Sequence, residues 1–329
     1  MSARQAGIDI IPCGDDAVWH ALRRQDITAS VAAALLGADD PESQHAYATP
    51  YQLYMLATGA IEPEALDEEG PVLRGILMEE PAVKLLRRRN PTWIVRHNSG
   101  EGRVYYRDRA ARIGATPDVI VNDPQRGLGV VQIKSVGEFA FRKKWVGEDK
   151  EVVPPLWIAV QAVVEASVVP GAVWAAVAPF RVTDGGLDMP LIDIPLHAGI
   201  MTKLRAEVTD FWRRVRENDP YDPDFGRDGE LIARLYAEDD GETVDLSDHQ
   251  RIGGLITQRE ELKEREAVGN AAAKERKAID AEIIFALGNA ARGRLADGRV
   301  VEAKTVRRGG YEVAPSSYRT VKIREAKAS

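Results

Sequence analysis

Between Ala115 and Ser135 the chain reads ATPDVIVNDPQRGLGVVQIKS, two runs of β-branched and aliphatic residues split by Asn-Asp-Pro-Gln-Arg-Gly. Such runs favour extended backbone, and the Pro and Gly between them make a turn, so the segment predicts a β-hairpin. Successive side chains of a strand face opposite sides. Gln132 and Lys134 therefore share one face, and Val131 and Ile133 the other. A Pro-Asp pair opens the first strand, and Gln-Ile-Lys ends the second, fourteen residues after the aspartate.

The flanking segments give this hairpin its surroundings. The first hundred residues read as helical. Thr28-Ala-Ser30 precedes VAAALLG as a capped helix closed by Gly37, with Ser30 as a cap candidate. Thr49-Pro50 opens YQLYMLATG, with Gly59 as the stop. RGILMEEPAVKLLRRR is a third helix with a basic tail, which Pro81 is expected to end or kink at its middle. TWIVRH and RVYYRD then read as strands. Helices follow at about 139–147 and 155–168, a strand at AVWAAVAPF, another near 188–194, and a helix ending in FWRRVREN. Strands bracketed by helices predict an α/β (α+β) core, a central mixed sheet covered by helices. Residues 1–218 form this domain. An acidic linker is expected over 219–244, and a long helix with a basic β-hairpin over 245–329.

Composition narrows the setting. Among 329 residues, 44% are hydrophobic and 29% charged, as in ordinary globular chains. The single cysteine, Cys13, excludes a disulfide framework and a cysteine-rich zinc site. No apolar run approaches the roughly 18 residues of a membrane span, and no signal-peptide core opens the chain, so a cytoplasmic protein is expected. The net charge of −7 does not suggest a nucleic-acid binder, yet it is unevenly spread. From Arg292 to Lys327 ten Lys/Arg stand against four Asp/Glu, leaving a deficit of 13 elsewhere.

Metal-assisted phosphodiester hydrolysis needs oxygen ligands for a divalent cation, an activated water and a positive group to steady the charge developing at phosphorus. Asp118 with Gln132 and Lys134 offers two oxygen donors and a cation on a rigid sheet end. A solvated hairpin end with ordinary surface charge would carry the same residues.

TPD followed by QIK resembles the PD-(D/E)XK nuclease signature, and further segments point to one branch of it. GDDAVWHALRRQDITAS, GILMEEPA, VYYRDRAARIGATPD and PPLWIAVQ are similar, in this order, to segments of the lambda-exonuclease and YqaJ-type viral recombinase family, from about residue 14 to 165. The resemblance implies a restriction-endonuclease-like core and a Mg²⁺-dependent exonuclease, with Mn²⁺ as a substitute. It would degrade double-stranded DNA from 5′ to 3′ and leave 3′ single-stranded overhangs. It also implies site roles. Asp118, position 132 and Glu79 would hold the metal, with Ile133 beside them and Glu80 a rival to Glu79. Lys134 would orient the attacking water, and Gln161 would hydrogen-bond within the site. Arg23, helped by Ser30 and Thr28, would grip the 5′-phosphate, for which a planar guanidinium is suited. Arg87–Arg89 and Lys143-Lys144 read either as a duplex track or as solvated faces. The implied partners are duplex DNA ends, further copies of the chain (trimeric rings occur in the family) and a single-strand annealing recombinase. The implied setting is a phage or prophage protein in a bacterial host.

Gln132 departs from the family, which has a carboxylate there. The amide keeps an oxygen but loses a charge, on the order of several kcal/mol at a hard cation if the effective dielectric is near 20. Three readings stay open: a glutamate changed to glutamine to trap a substrate complex, a natural variant that still binds metal, or a DNA-end binder that does not cleave.

Overall fold

The computed structural model describes residues 7–37, 44–63 and 70–236, with short pieces beyond at 255, 258, 261–262, 264–269, 292–294 and 300–302. The chain divides into two compact units, Met1–Leu235 and Tyr236–Ser329.

In chain order the first unit contains β1 (Ile8–Pro12), α1 (Asp16–Arg23), β2 (Ile27–Thr28), α2 (Ala29–Ala32), α3 (Pro50–Ala57), α4 (Pro71–Arg89), β3 (Ile94–His97), β4 (Val104–Asp108), β5 (Ile113–Ala115), β6 (Val119–Asp123) and β7 (Gly127–Ser135). It continues with α5 (Glu138–Lys144), α6 (Leu156–Val168), β8 (Trp174–Thr183), β9 (Gly186–Asp188), β10 (Ile192–Ile194), α7 (Ala198–Glu217) and α8 (Gly229–Leu235). Two mixed sheets result. One has the order β1-β4-β5-β2; the other runs β10-β8-β7-β6-β3, with β9 on β8. The expected α/β fold with helices flanking a mixed sheet is the fold observed.

The predicted hairpin is β6–β7, antiparallel, with Val119 opposite Val131. β7 then pairs in parallel with β8. A parallel pair needs a crossover, and α5 and α6 fill it. Both faces of this sheet are covered, and the strands alternate between two apolar layers. Ile120, Val130, Ala175 and Val177 face the cluster that holds α6 and α7, whereas Val119, Val121, Val131 and Ile133 pack with Ala82, Val83 and Leu86 of α4.

Some expectations change. The first hundred residues are not wholly helical: β1 pairs with β4, and β2 with β5. α4 runs unbroken through Pro81, its second half held by the burial of Ala82, Val83 and Leu86. Thr28, not Ser30, is the residue before α2, and it makes no side-chain cap; Ser30 lies inside the helix. The Thr49 cap on α3 is present, accepting from the Gln52 amide. Within the stretch read as a linker, residues up to Leu235 belong to the first unit. Thr49 donates to Asp228 at 2.6 Å, and Arg227 donates to the carbonyls of His45 and Ala48. The second unit shows helical residues at 255, 258, 261–262 and 264–269 and two short antiparallel strands, β11 (Arg292–Arg294) and β12 (Val300–Glu302). The rest of its expected helix and hairpin lies outside the described residues.

Where β7 leaves the turn, Gly129 lies opposite Trp174 of β8, and the Trp174 indole donates to the Gly127 carbonyl. A Cβ on Gly129 would sit 2.2 Å from the indole ring, so no side chain fits without moving the tryptophan. Gly129→Ala is expected to destabilise the fold by about 1–3 kcal/mol through overpacking, read as a lowered urea midpoint at unchanged m-value.

Candidate active site

Asp118 stands one residue before β6, and the β6–β7 register continued by that residue sets it opposite Gln132. The Ile133 amide donates to Asp118 Oδ2 at 2.8 Å, so main chain as well as side chain pins the carboxylate. Gln132 and Lys134 project from β7 on the α6 side, as the alternation predicts, and there they meet Gln161.

The contacts have one direction. Lys134 Nζ, which can only donate, donates to Gln161 Oε1 at 3.0 Å. Gln161 Nε2 donates to Gln132 Oε1 and to Glu165 Oε1, each at 2.9 Å. Gln132 Nε2 in turn donates to Asp118 Oδ2 and, at 3.1 Å, to the Ile133 carbonyl. Turning either amide over would bring donor against donor or acceptor against acceptor. The lysine at one end and the carboxylates at the other therefore lock both.

Glu79 reaches the site from α4, on the other layer. Its Oε1 accepts from His97 Nε2 at 2.6 Å, while His97 Nδ1 faces the Ser99 hydroxyl at 3.2 Å. Glu80 points outward, exposed, and pairs with Lys84. Of the two rivals, Glu79 is the one in the site.

Electrostatics ties the carboxylates together. Burial, then the charge of Glu79, pushes the Asp118 carboxyl up to about 7, against the pull of Lys134 and the Ile133 amide. Burial, then the charge of Asp118, holds Glu165 well above the ordinary carboxylate range. Glu165 was not foreseen: in LWIAVQAVVEASV it reads as one polar residue of an apolar helix. The contact of His97 with Glu79 depends on β3 lying beside β6.

Among the described residues no three His, Cys, Asp or Glu side chains are gathered closely enough to hold a metal unaided. The oxygens present are still those a hard divalent cation takes: the Asp118 and Glu79 carboxylates and the Ile133 carbonyl. The Gln132 amino group, between Asp118 and that carbonyl, stands where a positive group belongs. The donor set fits a divalent cation, provided that this amide gives way.

The three residues expected to take a phosphate also lie together. Arg23 donates to Ser30 Oγ at 3.2 Å, and Ser30 Oγ lies 3.0 Å from Thr28 Oγ1. The Arg23 guanidinium stacks on Trp19, 4.6 Å from the ring centroid, and burial draws it below its usual value. No carboxylate pairs with it among the described residues. His45, absent from the sequence reading, backs this cluster. Its Nδ1 accepts from the Tyr47 and Ala48 amides, so Nε2 carries the proton and donates to the Ser30 carbonyl at 2.7 Å. By contrast, Arg87 and Arg89 are largely spent inside the unit, donating to the carbonyls of Val95, Met189 and Leu187.

Residues 18–166 match the YqaJ-like viral recombinase domain, a span that contains Asp118, Gln132, Lys134, Glu79, Gln161, Glu165 and the Arg23 cluster. No curated protein matches the chain. Similar solved structures include an alkaline exonuclease from Laribacter hongkongensis, free and in complex with dAMP. Each of these two is 17% identical, with a TM-score of 0.44, covering 65% of this chain and 98% of the other. SSO0001 is 12% identical over 65% of this chain and 84% of its own, with a TM-score of 0.29. No helix of the described residues is long and apolar enough to cross a membrane.

Asp118 keeps its proton to about pH 7 in the folded first unit but releases it near its ordinary 3.8 once unfolded. Between those values the native state binds the extra proton. This group therefore makes the metal-free protein lose stability as pH rises from about 4 to about 7, with no further loss above. Denaturation in EDTA should show Asp118→Asn flattening that slope. The variant should be the more stable above pH 7, on the order of 1 kcal/mol or more, and the two should converge below pH 4.

Proposed function

We propose that the chain is a Mg²⁺-dependent exonuclease that degrades duplex DNA from the 5′ end and leaves a 3′ single strand. The observation that carries this is the meeting of Asp118, Glu79 and Lys134 at one end of the sheet, where Asp118 feels both other charges. Asp118, Glu79 and the Ile133 carbonyl would hold the cation. When bound it would lower the pKa of a water and offset charge on the scissile phosphate.

The chain's own residues account for the rest. Lys134, held by Gln161, presents an ammonium to the phosphate oxygen or to the incoming water. His97 keeps Glu79 turned inward. Arg23, with the Ser30 and Thr28 hydroxyls, takes the terminal 5′-phosphate, since a half-buried guanidinium without a carboxylate is ready for an anion. Homo-oligomers, a ring among them, and a single-strand annealing partner complete the proposal, as does a site of action in the cytoplasm of a bacterial host.

A second reading is favoured by one observation, the Gln132 amino group on Asp118. On it, the same fold grips a DNA end without cutting. Incubation with linear 5′-phosphorylated duplex and Mg²⁺ separates the two. Nucleotide release by this chain supports the exonuclease, release only by Gln132→Glu supports an exonuclease inactivated at position 132, and silence from both with end binding kept supports the binder. In whichever form cuts, Lys134→Ala is expected to lower the rate about 10²–10³-fold. Glu79→Gln should do comparable damage and Glu80→Gln almost none. Arg23→Ala should erase the preference for a 5′-phosphate over a 5′-hydroxyl end.

A further inference from the structure

α6 is apolar along its buried length: Ile158, Val160, Ala162, Val163, Val164, Ala166 and Val168 all lie in the core. Gln161 and Glu165 interrupt it one turn apart. Glu165 is 1% exposed; its Oε1 accepts from Gln161, and its Oε2 has no hydrogen-bond partner among the described residues. A carboxylate so placed is costly to the fold, and an aliphatic residue there would pack at less expense. Stability does not account for it, and position does. One nitrogen, Gln161 Nε2, is 2.9 Å from both the Glu165 oxygen and the Gln132 oxygen. The surplus carboxylate thus stands one amide away from the side chain that lacks one.

We propose that Glu165 is the displaced second carboxylate of this site, carrying on α6 the negative charge that β7 lacks at position 132 and acting on the cation through Gln161. The proposal rests on the reading that the site takes a divalent cation. It makes Glu165 a positioning residue: held one amide away by Gln161, it adds negative field to a seat whose oxygens come from Asp118, Glu79 and Ile133. Position 132 can then be neutral without leaving the site short of charge.

The test is Mn²⁺ binding to the full chain, by calorimetry and electron paramagnetic resonance, without DNA. Glu165→Gln keeps the shape and removes a buried carboxylate, so it should fold; circular dichroism and the melting temperature check this. It is expected to weaken Mn²⁺ about 10–100-fold, as loss of an outer-shell partner does. Glu165→Asp, which keeps the charge, should stay within about threefold, and moving the charge back in the Glu165→Gln, Gln132→Glu double variant should restore affinity to within about threefold. Unchanged binding by Glu165→Gln, or a folded double variant as weak as Glu165→Gln, overturns the proposal. If this chain fails to bind and Gln132→Glu binds, the cation site stands and Glu165 does not compensate. If neither binds, the cation reading falls and takes the proposal with it.

Discussion

Strand β7 is buried on both faces, and its side chains alternate between two layers that differ in kind. Val131 and Ile133 enter the apolar layer under α4, whereas Gln132 and Lys134 enter a polar notch beneath α6. A slip of one residue would exchange the two sets, driving an ammonium and an amide among Val83 and Leu86. The register is held from both sides: by the antiparallel ladder to β6 and by the seven-residue parallel pairing with β8. The chemistry of the notch inherits its precision from that register, because Asp118 is set opposite Gln132 by the ladder and not by its own side chain.

Burial then determines what these groups can do. Glu165 is sealed from solvent and Asp118 is partly buried, each raised by burial first and by a neighbouring carboxylate next. Lys134 is the counter-charge, and one lysine cannot satisfy several carboxylates. Without a cation, the arrangement relieves itself by protonation and by turning the Gln132 amino group onto Asp118. On the proposed reading, a cation would turn the same crowding into attraction. Crowded buried carboxylates cost the fold stability, the usual trade between stability and function.

Much of this is legible in the sequence. The β6–β7 hairpin follows from composition, turn residues and alternation, and the placing of Gln132 and Lys134 on one face follows from period two alone. Proline at 81 misleads because local propensity says break, while the burial of Ala82, Val83 and Leu86 outweighs one missing hydrogen bond. β1 escapes because IDIIP is a half-exposed strand whose only reason to be extended is its pairing with β4. His97 and His45 escape for a related reason: each acts on a residue 15 to 18 positions away, and only tertiary pairing brings them together.

Glu165 is the instructive omission. In sequence it is one acidic residue among valines and alanines, and helical periodicity would place such a residue at a solvent-facing edge. Its burial is visible only once α6 is seen packed on every side, against β5, β7, β8, β10 and α7. The reading of the catalytic strand likewise stops at the missing carboxylate, because a motif records which residue types occupy fixed positions on one strand. Charge obeys no such bookkeeping: a cation responds to the field at its seat, whichever element supplies it. On the proposed reading, a neutral side chain on β7 near a buried carboxylate on α6 is therefore a coherent pair, though each alone looks like a defect.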